Sequence, residues 1–307
     1  MKKKTLLLLI IIATIVLFIS IACLCSYLVG KNINNLRQDI PSSEDTTERT
    51  SENAIEEPEV DIPDEITQIT QPQKYAVVAS GSSHDDLHSE WFRNSTREAY
   101  DLLLENDYTD ENIYFLFEDP SEKDVDFKST YENFVNVLYE LQDKLTSQDQ
   151  IVFFLIGHGM FDGTNSYYEL TDYNISDTDF AYLLSSIERK RMIVVFSPCN
   201  TGGFVDDLSS LDTIVITSTR ADEANQAAFI EPFLSAFRGD GDENSDGKVS
   251  FAEAFNYATS DVAKQYVNRN WGPVREHPQL DDNGDSLSHE APMPNGGDGD
   301  LARATFL

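Results

Sequence analysis

Five short apolar runs, at residues 75–81, 113–117, 151–156, 192–196 and 213–217, punctuate the chain beyond residue 74. Each is rich in β-branched and aromatic residues and too short for a core helix. Continuous rather than alternating apolarity marks strands buried on both faces. Between the runs lie stretches of helical texture near 91–105, 131–145, 177–188, 231–238 and 251–267. Strands alternating with helices predict an α/β domain, a mostly parallel sheet flanked by helices. In such a sheet the working residues sit in loops beyond the carboxyl ends of the strands.

Two such loops carry reactive side chains. The third run leads into Gly157-His158-Gly159, and the fourth into Ser197-Pro198-Cys199-Asn200-Thr201-Gly202-Gly203. If their strands are neighbours, His158 and Cys199 meet at one edge of the sheet. A thiol attacks as thiolate, and an adjacent imidazole favours that form. The same imidazole can then protonate a leaving amine. The amides of Gly159 and Cys199 are placed to form an oxyanion hole. The chain has three cysteines, and Cys23 and Cys25 lie in an N-terminal apolar run, so Cys199 stands alone in the remainder. A single cysteine or histidine in a turn is ordinarily structural; their joint placement at strand ends favours a catalytic pair. His84 and His88 follow the first run and are candidates to line the cleft, although exposed loop histidines are commonplace. His277 and His289 lack metal-site spacing. No G-x-S-x-G elbow for a serine nucleophile occurs.

The order of strand, His-Gly, helix, strand and Cys in a small-residue loop resembles the caspase-hemoglobinase fold, and most closely the legumain-like cysteine peptidases of clan CD. The resemblance spans residues 74–267, and His before Cys is the reverse of the papain order. The segment Thr217-Ser218-Thr219-Arg220-Ala221-Asp222-Glu223 looks like that family's substrate-binding strand, which implies a substrate contact at Ser218. The resemblance further implies a cysteine endopeptidase acting on protein or peptide through an acyl-enzyme, with Cys199 as nucleophile and His158 as base and then acid. Transamidation uses the same chemistry. A different expectation is a non-catalytic, calcium-stabilised surface binding domain. Ser197 stands two positions before Cys199, where family members often carry an acid, so cleavage preference does not carry across.

A second motif runs from Asp242 to Glu253 and fits D-x-[DN]-x-[DN]-G-x₅-E. Asp242, Asn244 and Asp246 would offer side-chain oxygens, Lys248 its carbonyl, Ser250 a direct or water-mediated contact, and Glu253 both carboxylate oxygens. With helices predicted on both sides, this reads as an EF-hand-like loop with Ca2+ as cofactor. Affinity is expected at about 10⁻⁴ to 10⁻³ M, as in extracellular calcium modules. The plainer reading is an acidic turn that caps a helix through Ser250. The cluster Asp281-Asp282-Asn283-Gly284-Asp285 resembles half of such a loop but lacks the turn glycine and terminal Glu, so no site is expected there.

The N-terminus reads as a membrane anchor. Lys2, Lys3 and Lys4 precede an uncharged apolar run at 5–29, longer than the roughly 20 residues that span hydrocarbon. The lysines predict a cytoplasmic N-terminus and an extracytoplasmic domain. Lipoprotein processing at Cys23 is a weaker alternative. The expected organisation is an anchor at 1–30, a disordered acidic linker at 31–73 and a globular domain at 74–307. A formal net charge of -32 and a pI near 4.2 exclude nucleic acid as a natural partner.

Overall fold

The structure is a computed structural model that describes residues 71–224, 228–294 and 296–307. The expected anchor and nearly all of the expected linker lie outside the described residues. Among those described, no helix is long and apolar enough to cross a membrane.

The first apolar run forms β1 (Lys74–Ser80), followed by α1 (Asp86–Glu105) and β2 (Ile113–Phe117). A two-residue strand β3 (Phe127–Lys128) precedes α2 (Tyr131–Lys144) and β4 (Gln150–Ile156). Three short strands come next: β5 (Gly159–Phe161), β6 (Ser166–Glu169) and β7 (Asn174–Ser176). Then come α3 (Asp177–Leu184), β8 (Arg191–Phe196), α4 (Phe204–Leu208) and β9 (Thr213–Thr217). The chain ends with α5 (Ile230–Ser235), α6 (Phe251–Asn268), β10 (Gln279–Asp281) and α7 (Asp300–Arg303).

The main sheet has seven strands in the order β10-β9-β8-β4-β1-β2-β3. All its pairings are parallel except β10 against β9. Alternate residues along each strand feed two cores. Val78, Phe154, Val195 and Ile216 pack with α1, α5 and α6 on one face. Val77, Phe153, Val194 and Val215 pack with α2, α3 and α4 on the other. Burial on both faces explains why these strands read as unbroken apolar runs.

Several boundaries differ from the sequence reading. Helix α1 begins five residues earlier than 91, because the Asp85 side chain accepts from the His88 amide and caps it. Helix α3 stops at Leu184 rather than running to 188. Helix α5 ends at Ser235 in a π-type turn, Ala236–Asp240, with Gly239 at φ 113°. The segment between β4 and α3, which shows no strand periodicity, folds into a separate three-stranded antiparallel sheet, β5-β6-β7.

Candidate active site

Strands β4 and β8 are neighbours in parallel register, with Leu155 opposite Phe196. Their carboxyl ends therefore emerge side by side, and the Ser197 amide donates to the Leu155 carbonyl at 2.9 Å. Beyond β4, Gly157 adopts φ 144°, in the region that favours glycine. Two residues later the loops touch: a Cβ added at Gly159 would sit 2.2 Å from the Cys199 carbonyl oxygen and 3.0 Å from Pro198 Cβ. His158 and Cys199 thus stand on adjoining loops at one sheet edge, both partly exposed. The ladder also orients Gly159. The Glu169 amide donates to the His158 carbonyl at 3.1 Å, so His158 and Glu169 are a hydrogen-bonded pair. The next pair, Gly159 with Tyr168, is then the non-hydrogen-bonded kind, and the Gly159 amide turns away from β6.

His158 is held from the β1–α1 loop. Its Nε2 lies 3.4 Å from the Ser83 carbonyl oxygen. A carbonyl only accepts, so Nε2 carries the proton and Nδ1 keeps its lone pair. The ring sits among His84, His88 and Phe92, with centroids at 4.9, 5.0 and 5.1 Å. Burial, joined by the charges of His84 and His88, lowers its pKa, against the raising influence of the Ser83 carbonyl and Glu169. The imidazole is therefore neutral at neutral pH, the form a base requires.

Ser83 is in turn fixed by Glu118, which follows β2. Glu118 accepts from the Ser83 amide at 3.0 Å, from the Ser83 hydroxyl at 2.7 Å and from Ser89 Oγ at 2.6 Å. Burial pushes the Glu118 carboxyl up, but the bonds from Ser89 and Ser83 and the charge of Arg93 outweigh it and hold it below its ordinary value.

The Cys199 loop is pinned on several sides. Asn200 takes a left-handed conformation, φ 61°. Its amide donates to the Glu223 carbonyl at 2.8 Å and its side chain to the Ala221 carbonyl at 2.9 Å. From β6, Ser166 Oγ donates to the Asn200 carbonyl and accepts from the Gly203 amide. Glu223 also accepts from His277 Nδ1 at 2.5 Å, which ties this region to the segment before β10.

Ser218 follows β9 and lies beneath the Cys199 loop. It is fully buried, and its hydroxyl donates to the carbonyls of Ser197 and Pro198 at 2.8 and 3.0 Å. That hydroxyl braces the Cys199 loop from beneath. His84 and His88 pack their rings against His158. Ser83, Glu118 and Ser166 are not singled out by the sequence. Ser83 and Glu118 lie beyond the carboxyl ends of β1 and β2, the one positional signal that points to them.

In the loop from Asp242 to Glu253, the carboxylates turn onto their own backbone. Asp242 accepts from the amides of Asp246 and Gly247, Asn244 from Asp246, and Asp246 from Lys248. Glu253 accepts from the Ser250 amide and hydroxyl and from the Asn244 amide. Ser250 caps α6 in a full capping box with Glu253. The capping reading of this segment is thus realised, with its carboxylates held by amides in this conformation. Gly247 takes φ 84°, the sharp turn the motif demands. The helix entering the loop is shorter than expected, since α5 gives way to the π-type turn.

The sequence profile of the peptidase C13 family matches residues 119–278. That span contains the His158 and Cys199 loops and stops short of β10. A search of curated proteins finds no match. Among the matching solved structures is a protein of Geobacter sulfurreducens with 13% identity and a TM-score of 0.48. The alignment covers 73% of this chain and 96% of that one.

Proposed function

The chain belongs to the peptidase C13 family, the legumain family of clan CD, and from that premise we propose that it is a cysteine endopeptidase with Cys199 as nucleophile and His158 as base and then acid. Membership by itself supports cysteine peptidase or related transamidase activity. The observation that carries the finer reading is the adjacency of β4 and β8, which sets the His158 and Cys199 loops in backbone contact.

In this scheme His158 Nδ1 removes the thiol proton as sulfur attacks the scissile carbonyl. The oxyanion is met by amides of Gly159 and Cys199; in support, the Gly159 amide turns away from the β5–β6 ladder. Collapse breaks the C–N bond, and the proton on His158 leaves with the amine. Water then attacks the thioester, giving its proton to His158, and the thiol is regenerated as the acid product departs. An amine in place of water gives transamidation.

The test is labelling of the full-length chain with a thiol-directed peptidyl electrophile. Labelling should vanish in Cys199→Ala and fall sharply in His158→Ala. Equal, slow labelling of wild type and His158→Ala would overturn the dyad in favour of a binding domain that retains the fold.

Calcium at the loop from Asp242 to Glu253 belongs to the same proposal. Its support is the full motif, the turn at Gly247 and an all-oxygen donor set of Asp242, Asn244, Asp246, the Lys248 carbonyl, Ser250 and Glu253. The ion would fix the start of α6, and no step of peptide cleavage runs through it. Lys2–Lys4 and the uncharged run 5–29 support an anchor that holds the domain outside the cytoplasm.

A further inference from the structure

Beyond the family-matched segment, β10 ends at Asp281, and Asp282 follows it with opposite surroundings. Asp282 is 3% exposed and satisfied: its oxygens accept from the Gly299 amide at 2.8 Å and the Ala302 amide at 2.7 Å, holding the start of α7. Asp281 is 0% exposed, and neither of its carboxylate oxygens makes a close hydrogen bond; only weaker contacts from the Ser209 hydroxyl and the Asn283 amide reach it. A buried carboxylate without a close donor costs several kcal/mol, and native structures rarely leave one so without an ion or water.

Two further carboxylates face it. The ligand oxygens of Asp281, Asp285 and Asp298 all lie within 4.8 Å of one another. Asp298 is likewise 0% exposed, accepting from the Asp282 amide at 3.3 Å and from His289 Nδ1. Asp285 is exposed and accepts from the Leu287 amide and the Asn283 side chain. Backbone bonds between Leu280 and His289, 2.9 Å in both directions, close the loop that carries Asp285 back over β10. Three like charges gathered this closely repel one another. His289 lies beside the cluster, but its bond goes to Asp298 and does not reach Asp281.

We propose that Asp281, Asp285 and Asp298 form a divalent-cation site, for calcium in preference to transition metals, that locks the C-terminal segment onto the edge of the main sheet. The preference follows from the donors, which are carboxylate oxygens with no thiolate among them. Calcium takes six to eight oxygens at about 2.3–2.6 Å; bidentate carboxylates and waters on the exposed Asp285 side complete the shell. The ion neutralises Asp281, the one group in the cluster without a close hydrogen bond.

Equilibrium dialysis of the full-length chain in detergent against radioactive Ca2+ tests this. Glu253→Gln is the background, because it disables the separate loop from Asp242 to Glu253. In that background one ion per chain should remain, and adding Asp281→Asn should remove it. Asp285→Asn, a surface change that leaves the buried packing alone, should weaken the remaining binding by at least about 10-fold. Zn2+ at equal concentration should compete poorly. The proposal is overturned if the Glu253→Gln chain binds no calcium, or if Asp281→Asn and Asp285→Asn leave its binding unchanged. If the loop from Asp242 to Glu253 binds nothing, wild type and Glu253→Gln hold the same single ion, and the two sites are told apart.

Discussion

Replacing Glu118 by alanine should slow the chemistry of Cys199, although Glu118 acts on the dyad only through the main chain of Ser83. The carboxylate collects three hydrogen bonds from Ser83 and Ser89, at 2.6–3.0 Å. Each is a charge-assisted bond of about 1.5–3 kcal/mol. Their loss frees the loop that carries the Ser83 carbonyl, whose contact with His158 is already long at 3.4 Å. A shift of the imidazole on the order of 1 Å costs about 10²-fold in rate, equivalent to about 2.7 kcal/mol of barrier. The assay is the second-order rate of Cys199 labelling by a peptidyl electrophile, followed across pH. A purely structural role would lower the melting temperature and leave the pH profile in place. A positioning role moves the profile, because the Ser83 carbonyl raises the His158 pKa; without it the acid limb shifts to lower pH. Glu118→Gln, which keeps one acceptor oxygen, should retain most of the wild-type rate. Labelling of Glu118→Ala within twofold of wild type, with an unmoved acid limb, would refute the reasoning.

The pH profile of the wild type is itself constrained. Burial and the neighbouring His84 and His88 hold the His158 pKa below the ordinary 6.5, and the neutral ring is the active form. Labelling should therefore persist below pH 6.5 and fade as pH drops through the lowered value, and His88→Ala should move the acid limb upward. An acid limb above 6.5 in wild type would contradict this. For the loop from Asp242 to Glu253, calcium at about 100 times its dissociation constant adds about 2.7 kcal/mol, a rise in melting temperature on the order of 5–10 °C. Glu253→Gln should lose that share of the rise; an equal rise in wild type and variant would remove this loop as a calcium site.

The legible parts of this fold are those where physics acts locally. Runs such as 151–156 read as strands because both faces are buried and every residue is apolar or β-branched. Their carboxyl ends then marked the loops of His158 and Cys199 without knowledge of the third dimension. Strands β5 to β7 were not legible, being three or four residues each with mixed polarity and no alternation long enough to count. Ser83 escaped for a different reason. It serves His158 through its carbonyl, a group every residue has, so no side-chain pattern announces it. Burial of Ser218 was equally illegible, since a serine just past a strand looks exposed, whereas its neighbours enclose it and take its hydroxyl.

The same contrast explains why the cluster at Asp281 looked incomplete in sequence and not in structure. A calcium loop read from spacing must supply its ligands within about 12 residues, and the segment from Asp281 to Asp285 does not. Here the third carboxylate arrives from Asp298, carried in by the loop that His289 and Leu280 close. That placement also ties the cluster to the catalytic edge through continuous contacts. Strand β10 lies against β9, with Gln279 opposite Thr217. His277, two residues before it, bonds Glu223, and the Glu223 carbonyl holds the Asn200 amide next to the nucleophile. These contacts are fixed supports, not a demonstrated path of coupling. They make the C-terminal segment, which the family profile leaves out, part of the scaffold behind Cys199. A cation that fastens this segment would therefore stiffen the wall on which the nucleophile loop rests.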